Sequence, residues 1–424
     1  MKHNPLPPVL LGMTLLFVTA SAFRNGLPAD FWQWRHQLVL LSGVLLMTAM
    51  SLAMLLAARP AWLERPLGGL DKMYRLHRQL GIAAGILLGT HWLIDLSPPL
   101  AFSLHWAEPM VRHGHGHGGL SLVGSAHQVG QWCAWAMLAM VPAALLRLLP
   151  YRGWRRSHTL FAPLYLLGAF HSVVLMPASL WLTPVGLLTA VLLLAGSLCA
   201  VLVLAGRVAS ARRHRGELIA CEVLPGGELR VHCRMAADWP GHRAGQFARV
   251  SFDAAEGAHP FTIASGEQDR DTLCFIIKPL GDYTATLADR LDAGQTVEIE
   301  GPYGRFLPPE ASRPQAWVAA GIGVTPFIAW LKTLAGQGRL LTQADFFYCV
   351  EGAERAVALA EIRAACARTG VRLHLIESGA GARFSPSMLP AGCEVWFCGP
   401  HGLARMIEQA PGVPCMHAEA FAMR

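Results

Sequence analysis

The chain has 424 residues, 53% of them hydrophobic and 15% charged, and its formal net charge is +7. Globular domains carry about 25% charged residues, so this composition excludes a chain that is soluble throughout. The net charge does not indicate a nucleic-acid partner, because the basic residues cluster between apolar segments, where they orient a membrane protein. The ten cysteines include no C-x-x-C pair, which argues against a metal cluster or a disulfide framework and suits a reducing cytosol.

Apolar runs dominate the chain up to about residue 206, and ordinary charged and turn residues dominate the remainder. Six runs predict transmembrane helices, at about 8–23, 37–58, 79–96, 128–149, 159–177 and 180–206. The first is short and ends in Ala20-Ser21-Ala22, so a cleaved signal peptide is the alternative. We favour an uncleaved span, because the start of the chain is only weakly basic.

The links between the runs differ in their basic residues. Arginine and lysine recur in the second and fourth links and after the last run, whereas the other links carry few. The positive-inside rule then places both termini and the whole second half of the chain in the cytoplasm. We therefore expect a multi-pass protein of the cell membrane with a cytoplasmic C-terminal half.

The third run contains His77 and His91, fourteen positions apart. At about 1.5 Å per residue the two imidazoles would lie about 21 Å apart along one helix. A turn of about 1400° leaves both rings on nearly the same side, one near each face of a bilayer about 30 Å thick. Polar groups inside a membrane are costly and usually functional, although neighbouring helices can also satisfy them.

His158 and His171 accompany the fifth run, thirteen positions apart. In a straight helix their rings would point about 140° apart, so we expect a distortion near Pro163, which lies between them. The third and fifth spans run in the same direction, which places His77 with His158 and His91 with His171. Two such pairs of neutral imidazoles could each hold a six-coordinate haem iron.

Other histidines also lie in or beside the membrane half. His36 and His127 lack such partners, and we interpret them as structural. His113, His115 and His117 alternate with glycine in the outer third link. This pattern predicts either a divalent-metal site or a flexible loop without a fixed role.

The paired histidines resemble those of the NADPH oxidase and ferric reductase superfamily. The resemblance implies a six-helix transmembrane bundle that holds two b-type haems stacked across the bilayer. It implies four iron ligands, which are His77, His91, His158 and His171.

Short apolar segments separated by glycine and proline, from Gly216 to about Leu307, predict the strands of a small antiparallel barrel. The segment with His259, Pro260, Phe261 and Thr262 offers an aromatic ring beside a hydroxyl, which could bind a flat heterocycle. It resembles the flavin signature of ferredoxin–NADP reductase-type barrels in its oxidase form. The resemblance implies FAD, with Phe261 stacked on the isoalloxazine, Thr262 near N5, and His259 toward the ribityl and phosphate groups.

The segment 278–284 resembles the pyrophosphate-binding turn of the same family. Its candidate FAD contacts are Lys278, Gly281 and Thr284. A glycine turn that opens a helix over 284–291 would offer free backbone N–H groups and a positive dipole end to a phosphate.

From Arg313 onward, strands and helices alternate as in a nucleotide-binding α/β domain. Between the strand AWVAAG and the helix FIAWLKTLAG lie the candidate cofactor residues Gly321, Gly323, Thr325 and Pro326. The glycines would let a pyrophosphate approach the helix N-terminus, and proline suits a first helical turn. The motif resembles the nicotinamide-cofactor motif of the reductases.

Glu351 follows the next strand and would bond ribose hydroxyls and repel a 2′-phosphate, which favours NADH; Arg355 keeps NADPH open. The resemblance places the thiol of Cys398, which Gly399 and Pro400 follow, beside nicotinamide and flavin, in a positioning role. Its residue type alone indicates a buried core cysteine. Phe421 is the candidate aromatic cover of the flavin, and a core strand residue is the alternative.

The resemblance covers nearly the whole chain, with its motifs in family order. It implies a transmembrane di-haem domain (1–210), an FAD-binding β-barrel (211–310) and an NAD(P)-binding α/β domain (311–424). Electrons would pass from cytosolic NADH or NADPH through FAD and two haems to oxygen, giving superoxide, or to ferric iron outside. The alternatives are an electron donor for a periplasmic protein and a non-enzymatic metal-transport bundle with an attached reductase. The sequence does not indicate an oligomeric state.

Overall fold

The computed structural model describes residues 4–106, 121–146, 151–253, 256–308, 313–411, 413 and 415–419. The chain divides into two compact units. The first, which we call the helical unit, comprises Met1–Leu67 and Lys72–Ala209. The second, which we call the sheet unit, comprises Gly68–Asp71 and Ser210–Arg424.

Each predicted apolar run corresponds to helix in the helical unit, the fifth run being shared by α7 and α8 and the sixth by α9 and α10. The helices are α1 (Leu6–Asn25), α2 (Phe31–Ala57), α3 (Ala61–Leu67), α4 (Leu70–Asp95), α5 (Ser97–Ser103), α6 (Leu122–Leu145), α7 (Tyr151–Thr159), α8 (Phe161–Leu175), α9 (Ala178–Trp181) and α10 (Pro184–Leu204). The predicted single helix with His77 and His91 is therefore present as α4.

Four helical segments of the described chain are long and apolar enough to cross a membrane: Leu6–Arg24, Phe31–Ala57, Gly153–Leu175 and Pro184–Leu204. Helices α4 and α5 meet this criterion only together, with a bend of 46° between them, which gives up to five spans. Six spans are therefore not confirmed in this part of the chain. The run predicted at 128–149 forms α6, whose polar residues His127, Gln128 and Gln131 reduce its hydropathy.

Helices α2 and α4 run antiparallel. Arg35, in the first turns of α2, forms an ion pair of 2.7 Å with Asp95 at the end of α4. Nδ1 of His77, near the start of α4, lies 3.0 Å from the carbonyl oxygen of Ala53 near the end of α2. The two histidines of α4 are therefore held at two levels along the same neighbouring helix.

The fifth predicted span is interrupted at Leu160, between α7 and α8. The N–H of Leu160 donates to the carbonyl of Ser157, three residues back. Pro163, in the first turn of α8, has no N–H to donate to the preceding turn. A 3₁₀ turn rotates the chain by about 120° per residue, whereas an α-helix rotates it by about 100°. The additional rotation reduces the angle between the directions in which His158 and His171 point. The distortion expected near Pro163 is thus present.

The sheet unit begins with an antiparallel sheet of β1 (Arg213–Val223), β2 (Leu229–Met235), β3 (Phe247–Ser251), β4 (His259–Thr262), β5 (Thr272–Ile277) and β6 (Thr296–Tyr303). The strand order is β4-β3-β6-β1-β2-β5, and a bridge between Ile263 and Phe275 joins the two edges. Alternate residues of β2 are buried, as a half-buried strand requires. The predicted antiparallel barrel is therefore confirmed.

The helix predicted over 284–291 is wrong. Helix α11 spans only Asp282–Ala285. After it the chain continues in turns in which the N–H groups of Arg290 and Leu291 both donate to the carbonyl of Leu287. The side chain of Leu287 is buried in the barrel core, and the chain forms turns around this residue instead of continuing as a helix.

A parallel sheet follows, with β7 (Gln315–Ala320), β8 (Ala344–Val350), β9 (Arg372–Glu377), β10 (Glu394–Cys398) and β11 (Cys415–Glu419). The helices that accompany it are α12 (Thr325–Gly336), α13 (Leu359–Thr369) and α14 (His401–Glu408). The order β11-β10-β7-β8-β9 reverses direction between β7 and β10. Ligands of open α/β sheets bind at the carboxyl ends of strands at such a reversal, so the site is expected after β7 and β10.

Candidate functional site

His77 of α4 and His158 of α7 lie together, with ring centroids 6.0 Å apart and planes at 67°. Nδ1 of His77 lies 3.0 Å from the carbonyl oxygen of Ala53. A carbonyl only accepts, so Nδ1 carries the proton and Nε2 presents a free lone pair. Nδ1 of His158 is buried without a hydrogen-bond partner among the described residues, and Trp154 stacks on this ring at 5.0 Å.

His91 and His171, nearer the other ends of α4 and α8, lie close enough to interact electrostatically. Nδ1 of His171 lies 2.8 Å from the carbonyl oxygen of Ala126 and must donate to it. Nδ1 of His91 lies 3.0 Å from Oγ of Ser42, whose own hydrogen goes to the carbonyl of Leu38 at 2.7 Å. His91 is therefore the donor, and both histidines of this pair present Nε2 as the free nitrogen.

The spacing of His77 and His158 fits two imidazoles that share one haem iron. Two metal–nitrogen bonds of about 2.0 Å and two ring half-widths of about 1.1 Å separate the ring centroids by about 6 Å, as observed for His77 and His158. A hydrogen bond from the other ring nitrogen fixes the tautomer of metal-bound histidine, and three of the four rings have one. The described residues contain no cluster of three or more His, Cys, Asp or Glu that could hold a metal ion.

His127 differs from the sequence interpretation. Its ring centroid lies 6.3 Å from that of His171, with the planes at 83°. Helix α6 brings it there, because α6 packs against α8 and His127 directly follows Ala126, whose carbonyl binds His171. The expectation that His127 has no histidine neighbour is therefore wrong.

The flavin motif forms β4, which pairs with β3 so that Phe261 lies opposite Ala248. Phe261 is half-buried and its ring contacts Phe252, with centroids 6.3 Å apart, so one part of its surface is available to a ligand. Thr262 is buried, and its Oγ1 has no hydrogen-bond partner among the described residues. A buried hydroxyl without a partner fits a polar ligand atom at this position. Pro260, which lacks an N–H, is tolerated at this end of the sheet.

The two FAD segments meet through a ring contact. His259 stacks on Tyr283 of α11 with centroids 4.6 Å apart and planes at 21°. A cavity of about 360 Å³ lies beside Tyr283 and is also lined by Leu287 and Arg290. Burial and nearby Asp253 raise the pKa of Tyr283 to about 12, so its hydroxyl stays protonated at neutral pH.

The turn before α11 differs from its predicted form. The N–H groups of Leu280 and Gly281 donate to Oγ1 of Thr284, at 3.0 and 3.2 Å. These two N–H groups are therefore occupied by the turn itself. Lys278 is exposed at the end of β5 and supplies the positive charge next to this turn.

The nucleotide motif follows β7 at the reversal of strand order. Gly321 has a φ of +53° in a short 3₁₀ turn, and Oγ1 of Thr325 donates to the carbonyl of Ile322 at 2.8 Å. Pro326 lies in the first turn of α12, where its missing N–H costs no hydrogen bond. A Cβ on Gly323 would overlap the carbonyl oxygen of Cys398, so this glycine permits close approach between two strand ends.

Cys398 ends β10 beside Ala319 of β7 and Glu419 of β11. Burial, with a further contribution from Glu419, raises the pKa of the Cys398 thiol well above its ordinary value. The uncharged thiol is a poor nucleophile, which suits a positioning role. Gly399 and Pro400 then lead into α14, where Pro400 is the N-cap residue.

Glu419 is a site residue that sequence reasoning missed. Its side chain is buried, and Oε2 has no hydrogen-bond partner among the described residues. Burial raises the pKa of the carboxyl well above its ordinary value, which favours the neutral, proton-donating form. Only the register of β11, and not its sequence, places this carboxylate beside Cys398. Phe421 lies outside the described residues, two positions after β11 ends.

Glu351 follows β8 and is exposed. Its carboxylate pairs with Nη1 of Arg355 at 3.1 Å. Both side chains are more than half exposed, so the pair is weak and opens at little cost. Glu351 and Arg355 therefore lie next to each other at the carboxyl end of the parallel sheet.

Comparisons with known proteins agree with this architecture. The family of ferric reductase-like transmembrane components matches residues 42–169, and a family of FAD-binding domains matches residues 214–306. NADPH oxidase 3 of Homo sapiens is 32% identical over 166 residues, which are 34% of this chain and 28% of that protein.

Two plant proteins are also similar. Respiratory burst oxidase homolog protein F of Arabidopsis thaliana is 28% identical over 227 residues, which are 46% of this chain and 23% of that protein. Ferric reduction oxidase 8 of the same plant is 33% identical over 93 residues, or 19% of this chain and 13% of that protein. The matches span less than a third of the length of each of these three relatives. With matching membrane and FAD-binding parts in family order, the chain belongs to the NADPH oxidase and ferric reductase superfamily of oxidoreductases.

Proposed function

We propose that the chain carries electrons across a membrane, from NADH in the cytoplasm to oxygen or a ferric chelate on the outer side. FAD would supply hydride acceptance as a two-electron carrier, and two b-type haems would supply one-electron transfer. The proposal places three domains at 1–210, 211–310 and 311–424, with both termini cytoplasmic. It takes all six predicted apolar runs as spans.

The observation that carries the proposal is the pair His77 and His158 with its counterpart His91 and His171. His77 and His91 lie at two levels of α4, His77 meets His158 of α7, and His91 interacts with His171 of α8. His77, His91 and His171 each have Nδ1 held by a neighbouring helix and Nε2 left for a metal. Burying polar side chains inside an apolar bundle costs free energy, and the proposed iron ligation gives a reason for their presence there.

The chain's own residues would bind and order the soluble cofactors. Phe261 offers a ring face and Thr262 a buried hydroxyl to the flavin. Gly323 lets the end of β7 approach Cys398, so nicotinamide and flavin would meet at the reversal of strand order. Glu419 holds a proton at its buried carboxyl beside the Cys398 thiol.

The proposal predicts two haems per chain and their reduction by NADH. The full-length protein, purified in detergent and kept anaerobic, is expected to show reduced haem bands when NADH is added with FAD bound, and none after FAD is removed. Oxygen use is read as dye reduction that superoxide dismutase suppresses, and iron use as ferric-chelate reduction. A chain without haem bands would contradict the proposal and favour a metal-transport bundle.

Glu351 is expected to set the coenzyme preference. Glu351→Arg removes the charge that repels a 2′-phosphate, so we expect kcat/KM for NADPH to rise about tenfold relative to NADH, a change of about 1.4 kcal/mol. Arg355→Ala should lower NADPH use and leave NADH use unchanged, because it removes the nearby cation.

The matched control is Glu354→Arg, which makes the same change of charge at an exposed residue three positions away. An equal gain in NADPH use from Glu354→Arg would show that net charge, and not the position of Glu351, determines the preference.

A further inference from the structure

Helix α6 contacts His171 directly at Gly130. A Cβ on Gly130 would overlap Nδ1 and Cε1 of the His171 imidazole and lie 3.0 Å from its Cγ. Three ring atoms are therefore in the way of a single methyl group. The backbone of α6 approaches the imidazole this closely only because residue 130 has no side chain.

A hydrogen bond holds the imidazole in place beside Gly130. Its Nδ1 donates to the carbonyl of Ala126 at 2.8 Å. Ala126 lies one helical turn before Gly130, so both residues are on the same face of α6. This face provides the carbonyl that accepts the hydrogen bond of His171 and, at Gly130, the space for its ring. Moving the ring away from a methyl at position 130 would break that hydrogen bond and turn Nε2 to a new direction.

The glycine beside the other outer histidine is different. A Cβ on Gly43 would lie 3.4 Å from Cε1 of His91, an ordinary contact. The restriction is therefore specific to the His171 side of the outer pair. It also lies on α6, which contributes none of the four proposed ligands.

We propose that Gly130 is a positioning residue that sets the orientation of His171 and thereby decides whether the outer haem is retained. The inference rests on the proposed function, because it takes His171 as an iron ligand. The three atoms nearest to a Cβ at Gly130 all belong to the ring of His171, so the effect of Gly130 passes through that ring.

The test is the full-length Gly130→Ala variant. We expect the haem content to fall from two per chain to one, with loss of one of the two midpoint potentials in a redox titration. The remaining haem should still be reduced by NADH, because His77 and His158 are unchanged. A variant with two haems and unchanged potentials would overturn the inference.

Two glycine-to-alanine controls separate ligand displacement from general damage. Gly168→Ala, on α8 itself, places a methyl at an ordinary 3.7 Å from Sδ of Met47 and should keep both haems. A Cβ on Gly196 would overlap Oη of Tyr165 in the same bundle, and none of the three atoms nearest to it belongs to a histidine. Gly196→Ala should therefore lower thermal stability while folded chains keep two haems. Equal loss of haem in Gly130→Ala and Gly196→Ala would contradict the inference.

A double-mutant cycle keeps the inference testable if Gly130→Ala does not fold. The overlap disappears in Gly130→Ala/His171→Ala, so this double variant should be as stable to heat as His171→Ala alone. Instability of the double variant would place the damage elsewhere and overturn the inference. A wild-type chain without haem would contradict the proposed function, but the cycle would still measure the contact between the two residues.

Discussion

His91→Ala is expected to remove one haem and stop electron transfer to the outer side. Residues that merely orient a metal ligand are worth roughly 10–100-fold in metal affinity, so loss of an axial ligand costs more. The outer haem should be absent from the purified variant, and reduction of an external acceptor should fall more than about 100-fold. FAD reduction by NADH and reduction of the inner haem should continue at the wild-type rate, because they precede the lost step.

The matched control is His36→Ala, which removes a histidine with an exposed side chain from α2. It should keep two haems and full transfer. Full activity of His91→Ala with both haems would contradict the assignment of His91. If both haems survived in His91→Ala but not in His91→Ala/His127→Ala, then His127, whose ring lies 6.3 Å from that of His171, would be the ligand in its place.

The elements of the fold follow from short-range patterns in the sequence. Two histidines fourteen residues apart share one side of an α-helix by geometry alone, and α4 contains both. The mismatch of His158 and His171 with helical periodicity required a distortion, which occurs at Leu160. Short apolar segments separated by turn residues predicted the antiparallel barrel. The change to alternating strands and helices at Arg313 predicted the parallel sheet.

The contacts that complete the candidate site could not be predicted in this way. Gly130 and Ser42 lie in apolar helices, and only packing shows that each meets a particular histidine ring. Glu419 is one of many charged residues until the register of β11 places it beside Cys398. The short helix α11 shows the same limit, because burial of Leu287 overrides local helix preference. Contacts between segments that are distant in the sequence leave no periodic pattern of residue types from which they could be predicted.

Gly323→Ala is expected to slow hydride transfer at least about 100-fold while both haems are retained. The added Cβ would overlap the carbonyl oxygen of Cys398 and lie 2.7 Å from its carbonyl carbon. Both are backbone atoms, so no rotamer change relieves the overlap, and the end of β10 or the turn after β7 must move. Overpacking of this kind costs about 1–3 kcal/mol of stability. A shift of about 1 Å between reacting groups can cost about 100-fold in rate, so NADH-dependent FAD reduction should fall by at least that factor.

Two measurements locate the defect in Gly323→Ala. Chemical reduction with dithionite should reveal two normal haems, because the four histidines belong to the helical unit and the substitution lies in the sheet unit. Gly402→Ala, in α14 of the same sheet unit, places a Cβ with nothing within 4 Å and should leave FAD reduction unchanged. Normal FAD reduction by Gly323→Ala would show that the close approach of β7 and β10 is not needed for hydride transfer. Together with His91→Ala, this variant would interrupt the proposed electron path at its opposite ends, before the flavin and after the inner haem.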